Sequence, residues 1–188
     1  LIGRHKEQSI LKNCLESGRS EFVVIYGRRR IGKTFLVRRF FNDTYDFSFV
    51  GKHDMPREQQ LADFAKTLQR YSSSEFTPEL KNWTQAFDGL AKLLEAKDTS
   101  RKKVIFFDEM PWMDTPKSDF VSSLENFWNG WAAMRDDIVF VACGSATSWM
   151  IDSLLHNQGG LFNRITRKIY LRPFRLYEVE QYMDEHHF

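Results

Sequence analysis

Residues 21–34 read Glu-Phe-Val-Val-Ile-Tyr-Gly-Arg-Arg-Arg-Ile-Gly-Lys-Thr. The first six are a continuous apolar-rich run of strand length, the pattern of a strand buried on both faces of a parallel sheet. The last eight fit G-x-x-x-x-G-K-[ST], the Walker A pattern. Each part of that pattern has a task. Gly27 and Gly32 let the backbone wrap tightly and turn its N–H groups toward a phosphate. The helix that follows adds the partial positive charge of its N-terminus. Lys33 is placed to reach β- and γ-phosphates, and the Thr34 hydroxyl to ligate Mg²⁺. Arg28, Arg29, Arg30 and Ile31 complete the loop and Phe35 opens the helix, so Gly27 to Phe35 are the candidate nucleotide contacts. Only the backbone of the three arginines must face a nucleotide; their side chains are free to be solvated or to meet a partner.

Working outward, residues 104–109 read Val-Ile-Phe-Phe-Asp-Glu. Four apolar residues ending in two carboxylates form the Walker B pattern. Asp108, at the C-terminal tip of a strand where parallel sheets place their ligands, is the second candidate Mg²⁺ ligand. Glu109 is the candidate general base for an attacking water. An Asp-Glu pair favours hydrolysis over phosphoryl transfer to a metabolite. The run 138–143 ends in Cys143-Gly144-Ser145-Ala146-Thr147. Ser145, with Thr147 second, is a candidate to sense the γ-phosphate, against the plainer reading of a helix N-cap. Arg164 precedes the next strand and is a candidate arginine finger, with Arg167 its rival. Acting on a γ-phosphate, it needs a neighbouring subunit in trans or a closed lid in cis.

The rest of the chain alternates helix and strand. Helical spacing covers 5–17, 33–41, 57–71, 79–97, 117–135 and 146–156, with a last helical stretch from Tyr177. Further strands fall at 45–50, 103–107, 138–143 and 166–171. One strand lies between the Walker A and Walker B strands, which predicts an α/β three-layer fold: a five-stranded parallel sheet of order 5-1-4-3-2 with helices on both faces. Seventeen Phe imply a Phe-rich core. The net charge of +2 is too small to argue for nucleic acid. Two distant cysteines make neither a disulfide framework nor a zinc site. No signal peptide or 20-residue apolar run is present, so the expected location is the cytoplasm.

The chain resembles the archaeal-type ATPases, also widespread in bacteria, a branch of the AAA+/STAND P-loop proteins. The resemblance rests on Ile2-Gly3-Arg4-His5-Lys6-Glu7, YGRRRIGKT (26–34), FFDEMPWMDT (106–115), CGSATSWM (143–150), GGLFNR (159–164) and LRPF (171–174). It implies an ATPase core over 1–172 and the truncated start of a helical lid over 173–188. It also implies that Ile2 and Arg4 lie near the adenine. The expected function is an ATP-driven switch that hydrolyses ATP with Mg²⁺. The alternatives are a nucleotide-binding module with negligible turnover alone, or a DNA-associated ATPase. A homo-oligomer or a protein partner stays open as the mechanical context, and no membrane is expected.

Overall fold

The computed structural model describes residues 3–98, 100–145, 149–155, 160–161, 163–174, 176, 178–180 and 183. In chain order the elements are α1 (His5–Glu16), β1 (Glu21–Gly27), α2 (Lys33–Phe40), β2 (Phe47–Val50), α3 (Arg57–Ser72), α4 (Trp83–Glu95), β3 (Lys103–Asp108), α5 (Phe120–Gly130), β4 (Ile138–Ser145) and β5 (Arg167–Leu171). Short 3₁₀ turns cover Met110–Met113 and Ala132–Met134, and a π-helical turn covers Trp149–Leu155. The strands form one parallel sheet of order β2-β3-β4-β1-β5, which is the expected order read from its other edge.

Strand alternation divides the core into two. Phe22 and Val24 of β1, Ile105 and Phe107 of β3, and Ile138, Phe140 and Ala142 of β4 face one cluster with α3, α4 and α5. Val23 and Ile25, Val104 and Phe106, and Val139, Val141 and Cys143 face the other, with α1 and α2. The first cluster is the Phe-rich core. Phe107 lies within about 6 Å of five rings, among them Phe140 at 5.0 Å and Phe87 at 6.0 Å. Full burial of each such ring is favourable by about 1.5–3 kcal/mol. This burial on both faces explains why β1, β3 and β4 read as unbroken apolar runs.

The structure trims several predicted elements. The helix expected over 117–135 runs from Phe120 to Gly130, because Lys117 has a left-handed backbone (φ 61°) and the chain breaks after a residue of low helix propensity. β2 begins at Phe47 rather than 45, and the carboxylate of Asp46 instead accepts from the Val104 N–H at 2.9 Å and from the Arg101 guanidinium at 2.8 Å. The helix expected from 79 starts at Trp83, where the Asn82 side chain accepts from the Gln85 N–H at 2.9 Å. No helix among the described residues is long and apolar enough to cross a membrane.

Candidate functional site

Parallel strands bring three candidates to one edge of the sheet. Gly27 ends β1 and pairs in register with Ser145, the end of β4. Asp108 ends β3, beside Val50 of β2. The loop from Gly27 to Gly32 then turns back into α2. Gly27 has φ 154°, and a Cβ there would lie 2.4 Å from the Leu171 carbonyl oxygen of β5, so only glycine allows β1 to bend into the loop. Gly32 (φ 89°, ψ 24°) takes the left-handed conformation that starts α2.

Within the loop the Lys33 ammonium is buried and donates to the carbonyls of Arg28 (2.8 Å) and Gly27 (3.3 Å). The loop backbone thus holds a positive charge at its centre. The side chains of Arg28, Arg29 and Arg30 are exposed and make no hydrogen bond or ion pair among the described residues. Thr34 reaches across from α2, and its hydroxyl donates to Asp108 Oδ2 at 2.8 Å. The other Asp108 oxygen accepts from the Glu109 N–H at 2.9 Å. Burial pushes the Asp108 carboxyl up from its ordinary value, against the Thr34 and Glu109 hydrogen bonds and the Lys33 charge, which pull it down.

Glu109 has a left-handed backbone (φ 46°, ψ 41°) and caps the 3₁₀ turn Met110–Met113, an uncommon conformation for a residue with a side chain. The Ser145 hydroxyl is buried at the end of β4 and has no hydrogen-bond partner among the described residues. A buried hydroxyl without a partner is costly. Its neighbour across the sheet is the first residue of the phosphate loop, which makes this position one where a ligand oxygen would be received. The backbone that a Ser145 cap would serve, at residues 146–148, lies outside the described residues. Thr147, its rival, lies outside them.

A second group flanks the loop. Arg4 is buried, its guanidinium donates to the Ile31 carbonyl at 3.4 Å and lies 4.3 Å above the centre of the Phe174 ring. The Arg4 N–H donates to Glu178 Oε1 at 3.2 Å. Arg4, Ile31 and Phe174, together with Arg30, Phe35, Leu36 and Pro173, line a cleft of about 320 Å³ beside the start of α2. Phe35 is exposed, with Arg39 over its ring at 5.3 Å. Ile2, the other candidate at this end of the chain, lies outside the described residues. Phe174 and Glu178 were not singled out as site residues by the sequence, although LRPF (171–174) carried part of the resemblance.

Arg164 is not brought to the site. Its N–H donates to Leu161 (3.0 Å) just before β5, and Thr166 pairs with Phe22 at 2.9 Å. Phe22 lies five residues before Gly27, so Arg164 sits at the opposite edge of the sheet, about 17 Å or more from the loop. Arg167 is also at that edge, 3.4 Å from Glu21 Oε1.

Residues 1–187 match the model of an ATPase domain found predominantly in Archaea. The chain belongs to that family. A Methanocaldococcus jannaschii protein, MJECL04, described as uncharacterised, is 24% identical over 186 residues, which is 96% of this chain and 38% of that protein. Among solved structures, the Walker-type ATPase PABY2304 of Pyrococcus abyssi superposes with a TM-score of 0.69 at 18% identity, over 100% of this chain and 59% of that one. The Aeropyrum pernix ORC2 protein, solved as ADPNP–ADP complexes, gives 0.68 at 16% identity over 98% and 51%. The Aeropyrum pernix ORC1 protein, solved in complex with DNA, gives 0.67 at 12% identity over 98% and 49%. At these identities the structural likeness establishes the fold. The family and its neighbours support a P-loop ATPase domain that binds nucleotide. The chain spans about two-fifths of the length of its curated relative and about half or somewhat more of these solved chains.

Proposed function

We propose that this domain binds ATP with Mg²⁺ and hydrolyses it, and that the cycle acts as a switch. The observation that carries the reading is the 2.8 Å contact between the Thr34 hydroxyl and the Asp108 carboxylate at the mouth of the phosphate loop. A hydroxyl and a carboxylate side by side are hard oxygen donors suited to Mg²⁺, a metal that takes few protein ligands and completes its shell with phosphate oxygens and water. When bound, Mg²⁺ would neutralise charge developing on the β- and γ-phosphate oxygens.

The chain's own residues supply the rest. Loop N–H groups and the N-terminus of α2 cradle the phosphates. Lys33 exchanges its carbonyl partners for phosphate oxygens. Glu109 orients the attacking water and takes its proton, and Ser145 donates to the γ-phosphate. The cleft between Arg4, Phe35 and Phe174 receives the nucleoside. Residues 173–188 are the entry to a lid, through which Phe174 and Glu178 report on the occupied cleft. Placed at the far edge of the sheet, Arg164 serves as a finger only toward a neighbouring copy.

A second reading, DNA association, is favoured by the exposed Arg28, Arg29 and Arg30 side chains. It predicts DNA-stimulated hydrolysis that weakens steeply with salt. The primary reading is tested by titrating a fluorescent ATP analogue with and without Mg²⁺. Wild-type protein should bind more tightly with Mg²⁺. Asp108→Asn should lose that Mg²⁺ increment, and Lys33→Ala should lose affinity in both conditions. Equal affinities for all three proteins would refute the site.

A further inference from the structure

Gln60 lies in the first turn of α3, where a polar side chain is normally solvated, yet it is 1% exposed. Its amide is spent on backbone outside its own helix. Nε2 donates toward the carbonyls of Trp112 (2.5 Å), Met55 (3.2 Å) and Lys52 (3.4 Å), and Oε1 accepts from the Lys52 N–H at 3.4 Å. An amide has only two hydrogens, so the three carbonyls share them. The two segments joined in this way are the loop that follows β2 and the 3₁₀ turn that follows β3.

That turn starts at Glu109. Its left-handed backbone is held on the inner side by the Asp108 carboxylate and closed by the Trp112 N–H, which donates to the Glu109 carbonyl at 3.1 Å. On the outer side the Glu109 carbonyl packs against Gly51, where a Cβ would lie 2.4 Å from that oxygen. The Gly51 N–H in turn donates to the Asp108 carbonyl at 2.9 Å. Gln60 locks Lys52, the neighbour of Gly51, to Trp112, within the turn. The His53 and Trp112 rings, centred 4.1 Å apart, pack the same two segments together. An uncommon backbone conformation persists only where its surroundings over-determine it, and Gln60 hydrogen-bonds to both walls.

We propose that Gln60 is a positioning residue for Glu109: it clamps the loop after β2 to the turn after β3, so that the Glu109 carboxylate is aimed at the attacking water. The assignment rests on the reading of Glu109 as general base. Because Gln60 contacts neither the phosphate loop nor the nucleoside cleft, its effect falls on turnover and not on binding.

The test uses Gln60→Met, close in volume but without amide donors, alone and combined with Glu109→Gln. Phosphate release, ATP affinity and amide hydrogen exchange are measured for each. Turnover should fall about tenfold or more in Gln60→Met, with affinity within about twofold of wild type. On the Glu109→Gln background the same change should lower the residual rate less than about twofold, because the group being positioned is already gone. Exchange at residues 109–113 should speed up while that at 33–40 stays constant. An equal fall in turnover on both backgrounds, a loss of affinity in step with turnover, or unchanged exchange at 109–113 would overturn the assignment. Should wild-type protein release no phosphate, the hydrolytic reading fails, and the exchange comparison alone decides whether Gln60 holds the turn.

Discussion

Asp108 meets two opposed demands at the residue scale. The fold buries it and raises its pKa, so in the nucleotide-free protein the ionised form is penalised. Mg²⁺ capture requires that same ionised form. A carboxyl raised above its unfolded value loses stability as the pH rises from the unfolded pKa through the folded one, and that cost is relieved as the pH falls back through the same window. Asp108→Asn should therefore raise the thermal stability of the free protein, on the order of 1 kcal/mol, while abolishing Mg²⁺-dependent binding. In the wild type, Mg²⁺-dependent affinity should decline on acidification at a higher pH than an unburied aspartate would give. Calorimetry and nucleotide titration across pH check both. Ser145 gives a complementary case. Its buried hydroxyl has no partner among the described residues, so Ser145→Ala removes an unsatisfied polar group and should raise the melting temperature, not lower it. Turnover should still drop about 10²-fold, the scale of one donor to a developing charge. Asp108 was legible as a candidate because Walker A and Walker B are local strings with fixed spacing, and Ser145 only because it ends the next apolar run. Phe174, Glu178 and Gln60 were not, since each meets its partners through tertiary contacts that no period in the sequence encodes.

Strands proved easier to read than helices. β1, β3 and β4 are covered on both faces, which forces unbroken apolar runs, and the register then places Gly27, Asp108 and Ser145 at one edge. Helix ends depended on details that spacing does not carry, such as the left-handed Lys117 and the Asn82 cap. At the other edge of the sheet, Lys103 at the start of β3 is fully buried with its ammonium 2.5 Å from Asp137, which Arg135 also grips at 2.7 Å. Arg135 and Lys103 hold the Asp137 carboxyl well below the usual carboxylate range, despite the opposing effect of burial. A depressed carboxyl stabilises above its unfolded pKa, and that stability is lost as the pH falls from there toward the folded value. Asp137→Asn should cost about 3–5 kcal/mol at neutral pH by stranding the buried Lys103 charge, and should flatten the acid limb of the stability curve. Chemical denaturation at several pH values measures this.

The described residues form a sheet between two cores with the candidate site at one edge, and the sheet and its two covering layers followed from the alternation of strand and helix. The sheet order agreed because a strand lies between the two Walker strands. Arg164 departs from the rest of the candidate set: sequence proximity to β5 gave it no direction, and the parallel pairing of β5 with β1 sends it to the edge opposite the loop. The same architecture leaves Glu109 on a turn pinned from both sides, half-buried next to Asp108, with a carboxylate that has no hydrogen-bond partner among the described residues. The most direct test of the account is phosphate release with Mg²⁺-ATP in excess, comparing wild type with Glu109→Gln, alongside ATP affinity for both. Slow but measurable release by wild type is expected, with a loss of about 10²-fold or more in Glu109→Gln and unchanged affinity. Release that is equal in the two proteins, or absent from wild type that binds Mg²⁺-ATP normally, would contradict it.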